Sequence, residues 1–498
     1  MGKKLKGSLT VFFALIMVSV MSLIFTMAEC IRIYELHDFA SEYTDMAVES
    51  AFSEYNPYLW ANYRILAVDL GYGTEAIGPA ILEQKTLDYC RYNSNIDYGS
   101  NYARLTPASC NAKQYSLLTD NLGQGVIMLG TKAARDGMAA QVIDAVQGNV
   151  NDVNGVEIVN VDEQTQSGKA DLENAKEELA AAKEAAANDD DPNTNPSDYP
   201  DPGEVEDDPL DAFGTMKEAL SKGLLATVVD ADTLSDKRVD LDNLPSHRSL
   251  NAGTGEVAYS TGITDKALFI DYLLTNYSYY GMDRKHAGMQ YEIEYLVSGK
   301  ETDAQSLAAV VEELMVIRES ANYATILKTP SMVNQAQAIA EILAGFTMNP
   351  AIIEAVKYAI IGAWAYAEST LDIRLLLAGG KVSIIKSSEE WTSDVWHLSA
   401  CFDVKTKAKE CKGGIGYKEY LMGFLALQSN ETLAMRACDV METALHGTDD
   451  YKNVRCDNMI FAANMEIGFT GSEMFLSLFS TENTIEGYEL TKEKYLCY

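Results

Sequence analysis

The sequence predicts a helix-dominated α+β protein. Its expected form is a long N-terminal transmembrane helix followed by an extracellular region with a minor antiparallel sheet. Three observations carry this expectation. An uncharged run of 22 residues lies between Lys6 and Glu29. Helical periodicity continues past that run to about Tyr55. Further on, long helical stretches are segregated from strand-like ones rather than alternating with them, the order of α+β rather than α/β.

At a helical rise of ~1.5 Å per residue the uncharged run reaches about 33 Å, enough to cross a hydrocarbon core. A secretory signal has an apolar region of roughly 7 to 15 residues and a small-x-small cleavage site. Here the run closes on Thr26-Met27-Ala28, which favours an anchor over a removable leader. Lys3, Lys4 and Lys6 precede it, and the stretch from Glu29 to Tyr55 carries seven acids against Arg32 alone. The positive-inside rule then keeps residues 1–7 cytoplasmic, assigns the span to 8–28 and places the bulk of the chain outside the cell membrane. Glu29 before Cys30 replaces the small residue that lipid attachment needs.

Beyond the span, Leu36, Ala40, Tyr43, Ala47, Ala51 and Tyr55 recur at three- and four-residue steps, with Glu35, Asp38, Glu42, Asp45, Glu49 and Glu54 largely off that stripe. One helix is expected from Ser8 to about Tyr55. Asn56-Pro57 closes it, because proline disfavours helix for the residue before it.

The stretch Lys6-Gly7-Ser8 with Val11, Phe13, Ala14 and Leu15, then Ala28-Glu29, Arg32 and the alanine-rich acidic helix through Ala51, resembles the N-terminal region of TadE-like pseudopilins. The segments "YNPYLWANYRILAVDLGYG", "YEIEYLVSGK" and "AESTLDIRLLLAGGKVSIIK" are similar to a family of unknown function from Gram-positive anaerobes, found among Tad-type pilus genes. The resemblance implies a non-catalytic, pseudopilin-like component of a Tad-type pilus or secretion apparatus, with other pilin-like or pilus-assembly subunits as partners. It also implies prepilin-type processing between Gly7 and Ser8. Phe12 stands where the pilin pattern places a glutamate, and phenylalanine cannot pair with a freed N-terminal amine. The alternative is an anchored cell-surface binding protein acting alone; an exported hydrolase without a recognisable motif is the remaining one.

The 73 acids and 39 bases among 498 residues give a net charge of −34, which repels nucleic acid and anionic lipid. Eight cysteines on the exported side suggest the pairs Cys90/Cys110, Cys401/Cys411 and Cys438/Cys456. Buried free thiols fit the same spacing, and the connectivity stays open.

Residues 29–148 are expected to form the helix extension and a first exterior block, 149–254 an acidic spacer and linker, and 255–498 a C-terminal α+β domain. In the spacer, Leu172, Leu179 and Ala186 stand seven apart, read as a solvated helix rather than a coiled coil. The following "NDDDPNTNPSDYPDPGEVEDDP" holds five of the eleven prolines and reads as a linker. Its acids Asp189, Asp190, Asp191, Asp207 and Asp208 lack the spacing of a calcium loop. In the C-terminal block "YEIEYLV" alternates like a half-buried strand. Helices are expected over Thr302–Leu327, Pro330–Ala344, Pro350–Leu377 and Lys418–Leu445, then a strand in "NMIFAANMEIGF". The ten uncharged residues "YAIIGAWAYA" are too few for a second span and read as a core helix.

No catalytic constellation, cofactor site or metal site is expected. Gly71-x-Gly73-x-x-Ala76 is formally a dinucleotide signature, but no long amphipathic helix follows, so a glycine turn is favoured. "GGKV" at 379 to 382 lacks the Ser or Thr of a P-loop. His397 and Cys401, with Cys411 nearby, lack an evident fourth ligand for zinc. Tyr277, Tyr279 and Tyr280 offer a contact surface or, more simply, half-buried rings at a helix end.

Overall fold

A computed structural model describes residues 7–94, 101, 103–137, 141–188, 195–221, 225–229, 234–256, 262–284, 286–475 and 487–498. The helices are α1 (Gly7–Phe52), α2 (Pro57–Tyr63), α3 (Ala80–Asn93), α4 (Asp120–Gly137), α5 (Gln141–Asn154), α6 (Val161–Ala187), α7 (Pro209–Ser221), α8 (Leu225–Val228), α9 (Ile263–Asn276), α10 (Glu292–Ser298), α11 (Asp303–Lys328), α12 (Pro330–Ala344), α13 (Pro350–Leu377), α14 (Tyr417–Leu427) and α15 (Asn430–His446). The strands are β1 (Val68–Asp69), β2 (Leu105–Leu117), β3 (Met459–Gly471) and β4 (Tyr488–Cys497). The protein is helix-dominated with one small antiparallel sheet.

The chain forms two compact units, residues 1–129, 245–260 and 445–498 in the first and 130–244 and 261–444 in the second. This interleaving departs from the consecutive blocks expected above. The C-terminal block does not stay whole, because β3 and β4 build the sheet of the first unit.

In that unit β3 is the central strand, antiparallel to β2, to β4 and to the short β1. The β2 register runs from Leu105 opposite Gly471 to Leu117 opposite Ile460. The inner face carries Ile460, Ala463, Met465, Ile467 and Phe469. Against it lies the apolar stripe of α1, with Leu36, Ala40, Ala47, Val48, Ala51 and Phe52 all buried. The helix ends at Phe52, three residues before the expected boundary. Asn56 Oδ1 then accepts from the Tyr58 and Leu59 N–H groups at 3.0 Å and starts α2.

The second unit is helical, and α13 is buried continuously from Ala359 through Arg374. The expectation of a core helix there, rather than a second span, agrees with this burial. The bounds Pro330–Ala344 and Pro350–Leu377 appear as expected, and α11 differs by one residue at each end. The stretch 418–445 is two helices instead of one, broken at Gln428, with the Ser429 hydroxyl accepting the Thr432 N–H at 3.1 Å to start α15.

Two further expectations are corrected. The segment 161–187 is helical but not a solvated spacer: α6 packs along α13, where Gly168 approaches so closely that an added Cβ would lie 2.5 Å from the Ala355 carbonyl. Gly362 makes the reciprocal approach to Thr165. The expected strand "YEIEYLV" is helix α10. Its glutamates are not solvent-facing, so the alternation that suggested a strand has another cause. Glu292 Oε2 accepts the Ser278 N–H at 2.7 Å and Glu294 Oε1 accepts the Tyr280 N–H at 2.9 Å, tying α10 to the preceding loop.

Candidate functional site

The feature that distinguishes this chain is the change of surroundings along α1. From Leu9 to Met27 its large apolar residues other than the half-buried Phe25 are exposed, for instance Leu15 at 63% and Met17 at 68%. From Leu36 onward one face is buried in the core. Among the described residues α1 is the one helix long and apolar enough to cross a membrane. Water does not tolerate such a continuous apolar surface on an isolated helix, so a bilayer or other helices are its fitting environment.

The change occurs at Glu29 and Arg32. Arg32 Nη1 donates to Glu29 Oε1 at 2.7 Å and Nη2 donates to the Ala103 carbonyl at 2.7 Å. Glu29 Oε2 also accepts the N–H groups of Phe475, at 2.7 Å, and Met474, at 3.2 Å. Burial pushes the Glu29 carboxyl up, but the Phe475 N–H, the Arg32 guanidinium and the Met474 N–H outweigh it and hold it below the ordinary range. The first turn past the apolar run is thus fastened to the folded unit by a compensated buried charge pair. Beside it is a cavity of about 630 Å³ lined by Ile31, Arg32, Phe39, Tyr43, Met474 and Phe475.

Gly7 is the first helical residue of α1, Ser8 follows within it, and Phe12 is exposed on the apolar run. Cys90, on α3, and Cys110, on β2, are buried thiols in the core of the first unit. Burial pushes both up to about 12, and the neighbouring Cys110 adds to the effect on Cys90. Cys401 and Cys411 are buried free thiols with different neighbours: Arg374 Nη1 donates to the Cys401 carbonyl at 2.8 Å, and the Cys411 N–H donates to the Lys381 carbonyl at 2.9 Å. Cys438 is buried on α15 within the second unit, and Cys456 is buried in the first.

His397 is exposed and sits 3.1 Å from Asp394. Among the described residues no three His, Cys, Asp or Glu side chains converge for a metal ion. The 71 to 76 segment is a turn in which the Asp69 carboxylate accepts the N–H groups of Gly71 and Gly73, at 3.0 and 2.7 Å. Gly379, at φ +85°, closes α13, and Val382 bridges to Ile415, so "GGKV" is a connection. Tyr277 is buried and Tyr279 and Tyr280 are half-buried. Asp207 and Asp208 accept backbone N–H groups of Ser399 and Leu210, each at 2.9 Å; Asp189, Asp190 and Asp191 lie outside the described residues.

Sequence reasoning missed the buried charges of the second unit. Arg318 Nη2 donates to Asp372 Oδ2 at 2.8 Å and Nη1 to the carbonyls of Ser383 and Ile384 at 2.9 Å. Lys386 Nζ bonds to both Asp372 and Glu368, and Glu368 Oε2 accepts the Ser393 N–H at 2.7 Å. Two cations balance two anions, all solvent-excluded, so the network holds α11, α13 and the 383–393 loop in one arrangement. Glu368 and Asp372 stand four apart within an apolar helix, a signal that charged residues share its buried face. Glu294 differs, with no ion pair among the described residues. Burial pushes its carboxyl up to about 7 against the stabilising Tyr280 N–H and Tyr417 hydroxyl.

A family model described as a family of unknown function (DUF5702) matches residues 202–471. That range holds the charge network and β3 but not α1. No curated protein and no solved structure matches the chain.

Proposed function

The chain belongs to this family of unknown function, DUF5702, and on that premise we propose that it is a non-catalytic protein anchored in the cell membrane by α1. Its N-terminus is cytoplasmic, its bulk is extracellular, and it is a pseudopilin-like component of a Tad-type pilus or secretion apparatus. One observation carries the reading: α1 is a single unbroken helix, bare over its first half and buried against an antiparallel sheet over its second. That construction lets one rigid rod serve as membrane segment, lateral packing surface and core element. The exposed apolar run is where pilin-like neighbours would pack, with Gly7, Ser8, Ala14 and Ser19 permitting close approach. The Glu29–Arg32 fastening supports the assignment of 8–28 as the span, since it places the first charges where the apolar run ends.

The test combines three measurements on the full chain. Alkaline extraction of membranes is expected to leave it in the pellet. Cysteine placed singly at Val11 or Val18 is expected to cross-link between copies or to a pilin-like partner. Mass spectrometry of the mature N-terminus decides the processing, and a chain starting at Ser8 supports pilin-type handling. A soluble or leaderless chain defeats the anchor, and absence of any cross-link from either position defeats the assembly. An intact start keeps the anchor and removes the processing.

A further inference from the structure

We propose that Asp162, Glu319 and Tyr366 form a binding site for a hard divalent cation, calcium, within the second unit. The three residues come from the first turn of α6, the middle of α11 and the middle of α13. Asp162 Oδ1, Glu319 Oε1 and the Tyr366 hydroxyl are each buried without a hydrogen-bond partner. Glu319 retains 7% exposure and Tyr366 4%. The groups are neighbours: the charge of Asp162 acts on Glu319 and both carboxylates act on Tyr366, while Lys217 links Asp162 to the Phe213 ring that packs on Tyr366. A buried polar atom left unpaired costs about 1–3 kcal/mol. Three neighbouring buried oxygens left without partners are an arrangement that a cation would complete.

The donor chemistry selects the ion. All three atoms are oxygens, with neither thiolate nor imidazole among them, which suits calcium or magnesium rather than zinc. Lys217 Nζ holds the other side of Asp162, with Oδ2 at 2.8 Å. It also lies 5.3 Å from the Phe213 ring centre, and that ring meets Tyr366 edge-on. Among the described residues Lys217 acts on both carboxylates, leaving a negative excess. The Asp162 side chain is 45% exposed, which gives an ion a way in and leaves room for waters to fill the larger calcium shell. Magnesium demands a tight octahedron and dehydrates reluctantly, so a partly buried set with few protein oxygens suits calcium better.

The experiment is calorimetric titration of the full chain in detergent with calcium chloride at pH 8.5, alongside magnesium chloride and sodium chloride. Binding is expected in the ~0.1–1 mM range of extracellular calcium modules. E319Q and D162N should each weaken it by about tenfold or more, given that each removes a charged ligand. K217Q should tighten it several-fold by freeing Asp162, an effect that a merely structural role for these residues would not produce. E389Q, at an exposed carboxylate, serves as the unchanged control. If D162N fails to fold, the near-isosteric E319Q and the exposed-side K217Q still decide. No binding up to about 10 mM, well above the calcium-module range, or equal binding by E319Q and E389Q, would overturn the proposal.

Discussion

Arg32 donates to Glu29 at 2.7 Å within the first turn beyond the apolar run, and its second nitrogen reaches the Ala103 carbonyl. The pair joins a membrane-type helix surface to a folded core. Removing one partner strands a buried charge, which costs about 3–5 kcal/mol. R32A is therefore expected to destabilise the first unit by about 3 kcal/mol and expose residues 30–36 to protease in detergent, with the E29M/R32M double variant less affected. An R32A protein that melts and resists cleavage like the parent would contradict this role.

The crossing of α6 and α13 depends on two glycines. A Cβ at Gly168 would meet the Ala355 carbonyl at 2.5 Å, a backbone atom that cannot rotate away, whereas at Gly362 it would meet the rotatable Thr165 side chain. Overpacking costs about 1–3 kcal/mol. G168A should fall at the upper end and G362A at the lower, as read by urea midpoints.

Glu294 should make stability pH-dependent. Its folded value, about 7, is raised above the ordinary 4.5, so the folded state binds the proton more tightly than the unfolded chain. The contribution is full below about pH 4.5 and is lost as pH rises through about 7, amounting to about 3 kcal/mol. E294Q should flatten that part of the stability profile between pH 5 and 7.5. A parallel profile in the variant would assign the slope elsewhere.

The Arg318–Asp372 contact, at 2.8 Å and fully buried, predicts a sharp asymmetry between single and paired changes. D372N leaves Arg318 and Lys386 short of charge and should cost about 3–5 kcal/mol. Pairing it with R318M should recover part of that loss, a coupling measurable in a double-mutant cycle.

Thiol chemistry should follow burial. Cys30 is exposed, while Cys90 and Cys110 are buried with thiols pushed up to about 12. Because the thiolate is the reactive form, iodoacetamide should label Cys30 in the folded protein and reach the other two only on unfolding. An oxidised Cys90/Cys110 pair is the competing outcome, in which neither residue labels after unfolding unless reductant is added. A mass lower by two hydrogens in the peptide pair, without reductant, would reveal it, and quantitative labelling of both after denaturation would refute it.

Much of the architecture was legible because its causes are local. The lysine flank, the charge-free run and the continuing stripe to Ala51 specify α1 through helical period alone. Pro330 and Pro350 mark helix starts because proline suits the first turn. The candidate junction was only half visible: Glu29 and Arg32 are evident as the first charges, but the partners of Glu29, Met474 and Phe475, lie 445 and 446 positions away.

Sequence by itself determined an apolar rod at the amino end, the proline-led helices and the acidic balance, since each depends on neighbours within a few residues. Tertiary structure decided that β3 pairs with β2, that α6 lies on α13 and that 292–298 is helical with both glutamates inward. The reason is that burial of a polar group is settled by the partner that satisfies it. For Glu294 that partner includes a hydroxyl from Tyr417, a residue no local period can point to.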